Sequence, residues 1–336
     1  MSRLADAPCV LVTARGFDSA AQALLEARGF AVRHPDLRNA DPAPAALPDL
    51  LDNADAWIVG STDVGRDLLA RFPRLKVLAR RGVGIERIDV GAAAELGRIV
   101  TIAAGGNSPS VADHTIGLML AVAKQLAALP QRLRAGDWSY RIGKDLTGST
   151  VGIIGLGRIG RCVARRLAGF DVRILANDII ADDGFASANA IARVDLDTLL
   201  RESDFVTLHA PLDASTRHLI NAGMLALMKP NAILVNTARG GLVVESDLYA
   251  ALTEGRIAGA GLDVFEAEED PAASSVAAAL VALDRVVATP HTAAATYEGL
   301  ARTNRIAAET VAAILGGESP PSSCIVADGR CVNRRS

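Results

Sequence analysis

Residues 150–178 read TVGIIGLGRIGRCVARRLAGFDVRILAND, and their interpretation decides the fold. The apolar VGII at 151–154 leads as a strand into GLGRIG at 155–160, a G-x-G-x-x-G, and RCVARRLAGF at 161–170 leads out as a helix. In that setting each glycine has a physical task. Gly155 permits the tight turn, Gly157 lets the backbone approach a pyrophosphate, and Gly160 allows the helix to pack closely on the sheet. The helix N-terminus, where Arg158 and Ile159 stand, offers unpaired N–H groups and a partial positive charge to phosphates. Arg158 adds a full charge. A second strand, VRILAN, ends at Asp178, 23 residues beyond Gly155. An acid at about this distance hydrogen-bonds the ribose hydroxyls of NAD and repels the 2′-phosphate of NADP. The expected cofactor is therefore NAD. An ordinary strand–turn–helix closed by an Asp would carry the same letters, and the β-α-β setting is what separates the two readings.

Outward from this stretch, short β-branched runs alternate with amphipathic ones along nearly the whole chain. Upstream, strands are expected at 9–14, 31–34, 56–60, 76–79 and 99–103, separated by helices at 19–27, 64–71 and 90–95. Downstream, strands are expected at 150–154, 172–177, 205–209, 232–236, 259–262 and 286–289, with helices in the gaps. A long helix at 296–315 then precedes an irregular tail. Such alternation makes parallel sheets covered by helices on both faces, so the fold class is α/β. The proline-rich ADPAPAALP at 40–48 reads as a surface loop, because its prolines exclude a central strand. The Gly/Ser/Pro cluster at 101–110 marks a crossing between domains and is followed by a helix at 111–129. The stretch 130–147, with Trp138 and Tyr140, has no clear period. A segment of that length in a compact domain is functional or is covered by a partner.

Composition narrows the function classes. The 336 residues suffice for about two domains, each with its own core. Lys and Arg number 35 against 38 Asp and Glu, a net charge of −3, which argues against nucleic acid as a partner. No apolar run approaches the roughly 18 residues that span a bilayer. Asp6 and Pro8 make a poor secretory signal, so the expectation is a cytoplasmic protein with no membrane partner. Four cysteines are too few for a disulfide framework, and Cys324 and Cys331 are expected to be reduced. With five histidines besides, no metal site is expected.

Three further segments read as chemical. NTARGG at 236–241 puts Arg239 just past a strand end, GLDVFEAE at 261–268 puts Asp263 and Glu268 past another, and TPHTAAAT at 289–296 puts His291 past a third. Charged groups leaving successive strand ends on one sheet edge can converge in a cleft. An Arg suits a substrate carboxylate and polarises a neighbouring carbonyl. A His can exchange a proton, and a Glu beside it holds the imidazolium and raises its pKa.

These motifs, in this order and approximate spacing, resemble those of the D-isomer-specific 2-hydroxyacid dehydrogenases, the NAD-dependent family that includes 3-phosphoglycerate dehydrogenase. The resemblance covers nearly the whole chain and is strongest from 76 to 296. It implies that Arg239 binds substrate, that Glu268 and His291 complete the catalytic set, and that Asp263 holds the nicotinamide carboxamide. HAPL at 209–212 resembles the loop passing the cofactor, which places Ala210 near it, and Thr237, Ala238 and Ala293 are expected beside it too. RRGVG at 80–84 resembles the loop whose amides at Val83 and Gly84 grip the substrate carboxylate. SVADHT at 110–115 resembles a helix-opening motif, with Asp113 in place of the family's usual Glu. His34, His114, His209 and His218 are expected to be structural.

Two departures count against phosphoglycerate. Gly60, followed by the expected substrate contact Ser61, stands where many phosphoglycerate enzymes carry an Arg. The chain also ends soon after its last helix, so it is expected to be a short form without the family's regulatory C-terminal domain. Arg80, Arg81 or Arg87 stays open as a phosphate contact. The resemblance further implies two Rossmann-like parallel-sheet domains. An NAD-binding domain at 105–290 is inserted into a discontinuous substrate domain at 1–104 and 291–336, with hinges near Gly105 and His291. It also implies a homodimer through 121–147. The expected activity is NAD-dependent interconversion of a D-2-hydroxy acid and its 2-oxo acid, with 3-phosphoglycerate or a glyoxylate/hydroxypyruvate-type substrate. Two alternatives stay open: a non-catalytic NAD(H)-sensing corepressor-like protein, and a relative acting on formate or phosphite. Against the latter, RRGVG has the hydroxyacid form.

Overall fold

A computed structural model describes residues 7–35, 42, 44–180 and 184–331. The strands are β1 Cys9–Val12, β2 Ala31–Arg33, β3 Ala56–Val59, β4 Val77–Arg80, β5 Ile99–Ile102, β6 Thr150–Ile154, β7 Arg173–Asn177, β8 Ala192–Arg193, β9 Phe205–Leu208, β10 Ile233–Asn236, β11 Gly259–Leu262, β12 Val286–Ala288 and β13 Ile325–Asp328. They form two sheets, one in each of two compact units. The first unit comprises 1–107 with 296–336, and the second comprises 108–295.

In the first unit the order is β2-β1-β3-β4-β5-β13. The first five strands run parallel, and β13 closes the edge antiparallel to β5, with Ile325 opposite Thr101 and Asp328 opposite Ile99. Successive side chains of a strand face opposite ways. Val10, Val12, Ile58 and Ala79 therefore pack with Leu25 and Val311, of the helices Ser19–Ala27 and Tyr297–Leu315. Leu11, Trp57, Leu78 and Val100 fill the other face. Both faces are covered, which is why these strands show no apolar–polar alternation. The C-terminal helix is tied to the N-terminal one by polar contacts as well. Asp18 caps the first helix through Ala21 N–H (2.8 Å) and accepts from Asn304 Nδ2 at 2.9 Å.

The second unit has the order β8-β7-β6-β9-β10-β11-β12, all parallel. This is the doubly wound dinucleotide-binding order with one strand added, and β6 lies at the switch point where the order reverses. The helix Ser108–Ala123 seats directly on β11 because that strand offers two glycines. A Cβ on Gly261 would lie 2.9 Å from Leu118 Cβ, and one on Gly259 would lie 2.6 Å from Val122 Cγ1.

Several local expectations need correction. The tail is not wholly irregular, since it supplies β13. The helix expected at 111–129 runs over Ser108–Ala123, because Gln125 adopts a left-handed backbone (φ 54°). A separate helix, Leu129–Arg134, then enters the stretch expected to be irregular. Part of the 40–48 loop is helical. Pro44–Ala46 is a 3-10 turn, and Leu47–Leu51 is a helix that buries Leu47 and Leu51, with proline in its first turn where no N–H is needed. Residues 40, 41 and 43 of that loop lie outside the described residues.

The unit boundaries also sit a few residues later than expected. Residues 105–107 stay with the first unit, where Gly106 O accepts from Arg302 Nε at 2.8 Å. His291 and Ala293 stay with the second, because both donate their N–H groups to Asp263. Cys9, Cys162 and Cys324 carry free thiols, and the side chain of Cys331 lies outside the described residues. Among the described residues no helix is long and apolar enough to cross a membrane, and no cluster of three His, Cys, Asp or Glu could hold a metal.

Candidate active site

The glycine loop follows β6. Gly155 turns at φ 93°, with its N–H bonded to Asn177 O at 2.9 Å. A Cβ there would lie 2.6 Å from the carbonyl carbon of His209, and one on Gly160 would lie 2.1 Å from Gly155 O. Gly157 is different. No atom lies within 4 Å of its would-be Cβ, and it opens the helix Arg158–Leu167 without a side-chain cap. Arg158 and Ile159 thus begin a helix whose first N–H groups have no intrahelical partner. Asp178 accepts from Leu156 N–H at 2.6 Å and Ile180 N–H at 2.7 Å, so its carboxylate braces the loop as well as the end of β7. Spare lone pairs remain on those oxygens for ribose hydroxyls. Backbone open at Gly157, a bare helix start and a carboxylate at the next strand end together fit a dinucleotide.

The second group of side chains comes from the ends of β10, β11 and β12. After β10, the buried amide of Asn236 accepts from Ala238 N–H (3.0 Å) and donates to Arg239 O (2.8 Å), which folds the loop tightly around Arg239. Arg239 is half-buried, and its Nη1 donates to Ala238 O at 2.7 Å. Gly240 must lack a side chain, since its Cβ would fall 2.1 Å from the carbonyl carbon of Phe265. After β11, the 3-10 turn Glu266–Glu268 carries Glu268. One oxygen of Glu268 accepts from Phe265 N–H (2.8 Å), and the other meets His291 Nδ1 at 2.5 Å.

Asp263, fully buried, organises the segment after β12. It accepts from Thr289 Oγ1 (2.5 Å), Thr292 N–H (2.8 Å) and Ala293 N–H (2.9 Å), while its carbonyl takes the N–H of His291 at 2.7 Å. These bonds hold His291 at φ 52°, a left-handed conformation that costs a non-glycine residue about 1–3 kcal/mol. His114 Nε2 joins through Thr289 Oγ1 at 2.9 Å.

Electrostatics follows from this arrangement. The hydrogen bond that His291 donates to Glu268 raises the imidazole above its ordinary value, against burial and the charge of Arg239. Burial pushes the Glu268 carboxyl up. The bonds from His291 and Phe265, with the charges of His291 and Arg239, outweigh that and bring it below the usual value. With Nδ1 committed to Glu268, Nε2 is the nitrogen left to exchange a proton, on a side chain that is half exposed.

The second unit thus brings together Arg239, Glu268, His291, Asp263 and Ala293. Along the same strand ends lie Gly155, Gly157, Arg158, Ile159, Gly160, Asp178 and Ala210. Thr237 is buried, with Oγ1 2.9 Å from Thr115 Oγ1, and Ala238 is buried within the Asn236 turn. His209, before Ala210, is kept neutral: burial pushes its imidazole down to about 3. Ser61, Val83 and Gly84 belong to the first unit. There Arg80 braces the 80–84 loop, donating from Nε to Gly84 O and from Nη1 to Arg81 O, both at 3.1 Å. Sequence reasoning missed Asn236 and Glu245. It also missed that His218 reaches Glu266 at 2.6 Å.

A dinucleotide cradle, with an Arg and a His–Glu pair on the strand ends of the same sheet, defines a Rossmann-type dehydrogenase unit. Residues 116–293 match the family described as D-isomer specific 2-hydroxyacid dehydrogenase, NAD binding domain, and the chain belongs to that family. NAD is accordingly the cofactor of the second unit.

Relatives agree. The D-3-phosphoglycerate dehydrogenase of Methanocaldococcus jannaschii is 43% identical over 81% of this chain, which spans only 52% of that protein's length. The hydroxypyruvate reductase of Thermotoga maritima is 42% identical over 76% of this chain and 83% of its own. The D-lactate dehydrogenase of Aquifex aeolicus, solved with NAD and lactic acid, superposes with a TM-score of 0.79 at 29% identity, over 95% of this chain and 98% of that one.

Proposed function

We propose that the protein interconverts a D-2-hydroxy acid and its 2-oxo acid with NAD. The observation that carries this reading is His291 Nδ1 held 2.5 Å from Glu268 beside Arg239. Bound NADH supplies the hydride that reduces the C2 carbonyl. Arg239 pairs with the substrate carboxylate and polarises the carbonyl, a role that suits its fixed planar fork of donors. His291, kept protonated by Glu268, delivers its Nε2 proton to the carbonyl oxygen, and takes it back in the oxidative direction. Ser61 and the amides of Val83 and Gly84 are assigned to the substrate, and the open backbone at Gly157 with the Arg158 helix start to the pyrophosphate.

Hydroxypyruvate and glyoxylate are favoured over the phosphorylated acid. Arg80 spends two donors on its own loop, Arg87 faces Asp63 at 3.4 Å, and position 60 is Gly. The protein works as a homodimer. In the 121–147 segment Trp138, Tyr140 and Ile142 are each at least 84% exposed in the single chain, which suits burial against a second copy. Its proposed location is the cytoplasm, a reading that an NAD-dependent activity on a small acid supports. His291→Ala tests the central role: turnover should fall by about 10²–10⁴ while NADH binding stays nearly intact. Equal loss of both would overturn it.

A further inference from the structure

Glu245 is a buried carboxylate that the mechanism above does not use. It is the first residue of the helix Glu245–Thr253 and only 4% exposed. Its Oε1 accepts from Glu266 N–H at 2.7 Å, and its Oε2 is buried without a partner among the described residues. Glu266 opens the 3-10 turn that ends in Glu268. A helical turn begins with backbone donors that lack intrahelical partners. Two successive ones are satisfied by side chains: Phe265 N–H by Glu268 itself, and Glu266 N–H by Glu245. Gly240 lies against the Phe265–Glu266 peptide, the one whose N–H Glu245 accepts, so the Arg239 loop packs directly on that turn.

We propose that Glu245 is a positioning residue: as an acceptor for Glu266 N–H it fixes the turn that holds Glu268 against His291 and keeps that turn in register with Arg239. This rests on the dehydrogenase reading above for its effect on turnover, but not for its effect on His291.

The form in which Glu245 acts follows from its surroundings. Burial raises its carboxyl, and the charges of Glu266 and Glu268 add to that, against the Glu266 hydrogen bond. His218 and Arg217 also face this segment, pairing with Glu266 (2.6 Å) and Glu269 (3.8 Å). A protonated carboxyl still accepts through its carbonyl oxygen, and a glutamine amide is the same shape with the same acceptor. The alanine variant leaves the Glu266 N–H orphaned.

The test is an NMR titration of His291 in the full chain without ligand, with the signal assigned by its loss in His291→Ala. Glu245→Gln is expected to leave the His291 titration in place and kcat within about threefold of wild type. Glu245→Ala is expected to lower the titration toward that of an ordinary imidazole. Its kcat should fall roughly ten- to hundredfold, the scale of a small misplacement of catalytic groups, with KM for NADH unchanged. If Glu245→Ala does not fold, Glu245→Asp, one methylene too short to reach, takes its place with the same expectation. An unmoved titration in the alanine or aspartate variant overturns the proposal. So does a glutamine variant shifted as far as alanine, which would show charge rather than the hydrogen bond at work. The titration needs no turnover, so a chain that reduces no 2-oxo acid would fail the functional proposal separately.

Discussion

His291 takes its charge state from one carboxylate. Its pKa is raised by the Glu268 hydrogen bond, so the imidazolium persists above the ordinary imidazole range. Reduction of a 2-oxo acid consumes that proton and should continue to higher pH than a free imidazole would allow, then fall as pH rises through the raised value. Oxidation should rise over the same interval. Glu268→Gln removes the main cause of the shift, and the pH–kcat/KM profile for reduction should move its falling limb to lower pH. An unchanged limb would remove Glu268 from the role. The pair also bears on stability. A raised His291 stabilises the fold below the unfolded imidazole pKa and loses that contribution as pH rises through the folded one. A lowered Glu268 stabilises it above the unfolded carboxyl pKa and loses it as pH falls. At this scale Arg239, Glu268 and His291 were legible because each stands just beyond a strand end with no architectural reason to be there. Glu245 was not, because an acid in the first turn of a helix already has an ordinary explanation in the helix dipole.

Among elements, the strand–glycine loop–helix unit at β6 makes the sharpest separation between fold and binding. At Gly157 a methyl group meets nothing in the chain, whereas at Gly160 it meets Gly155 O at 2.1 Å. Gly157→Ala should keep its Tm and lose NADH affinity in a fluorescence titration, because the methyl occupies the space offered to the pyrophosphate. Gly160→Ala should lose affinity and also about 1–3 kcal/mol of stability, since backbone must shift. Equal behaviour of the two variants would contradict the assigned roles. The strands of both sheet interiors were legible because burial on both faces writes continuous apolar runs. Two edge strands were not. β8 is two exposed residues, and β13 is half-buried and antiparallel, so neither carries such a run. The start of the helix Ser108–Ala123 was hidden by Ser-Pro-Ser, which reads as loop until Ser108 and Ser110 are seen to be buried.

For the whole molecule, the expectation that the C-terminal helix joins the N-terminal sheet came from the family resemblance, since the residue pattern alone left the course of the tail open. The exact crossings depended on backbone hydrogen bonds, at Gly106 and at Asp263, that no residue pattern announces. The net charge of −3 is no obstacle to an acid substrate, because the cation assigned to it, Arg239, is local. Assembly is open to direct test. Trp138→Glu combined with Tyr140→Glu places charge among the exposed apolar side chains of the 121–147 segment and should convert a dimer to a monomer in light scattering, with the Tm of the chain little changed. A wild-type monomer would remove the segment from that role.

Specificity for the D-isomer of a 2-hydroxy acid is read out by NAD reduction at 340 nm with the separate enantiomers of glycerate and lactate. NADH formation is expected from D-glycerate, with none from the L-enantiomers and loss of the signal in His291→Ala. Oxidation of the L-enantiomers instead, or tight NADH binding with no turnover of either acid, would contradict it.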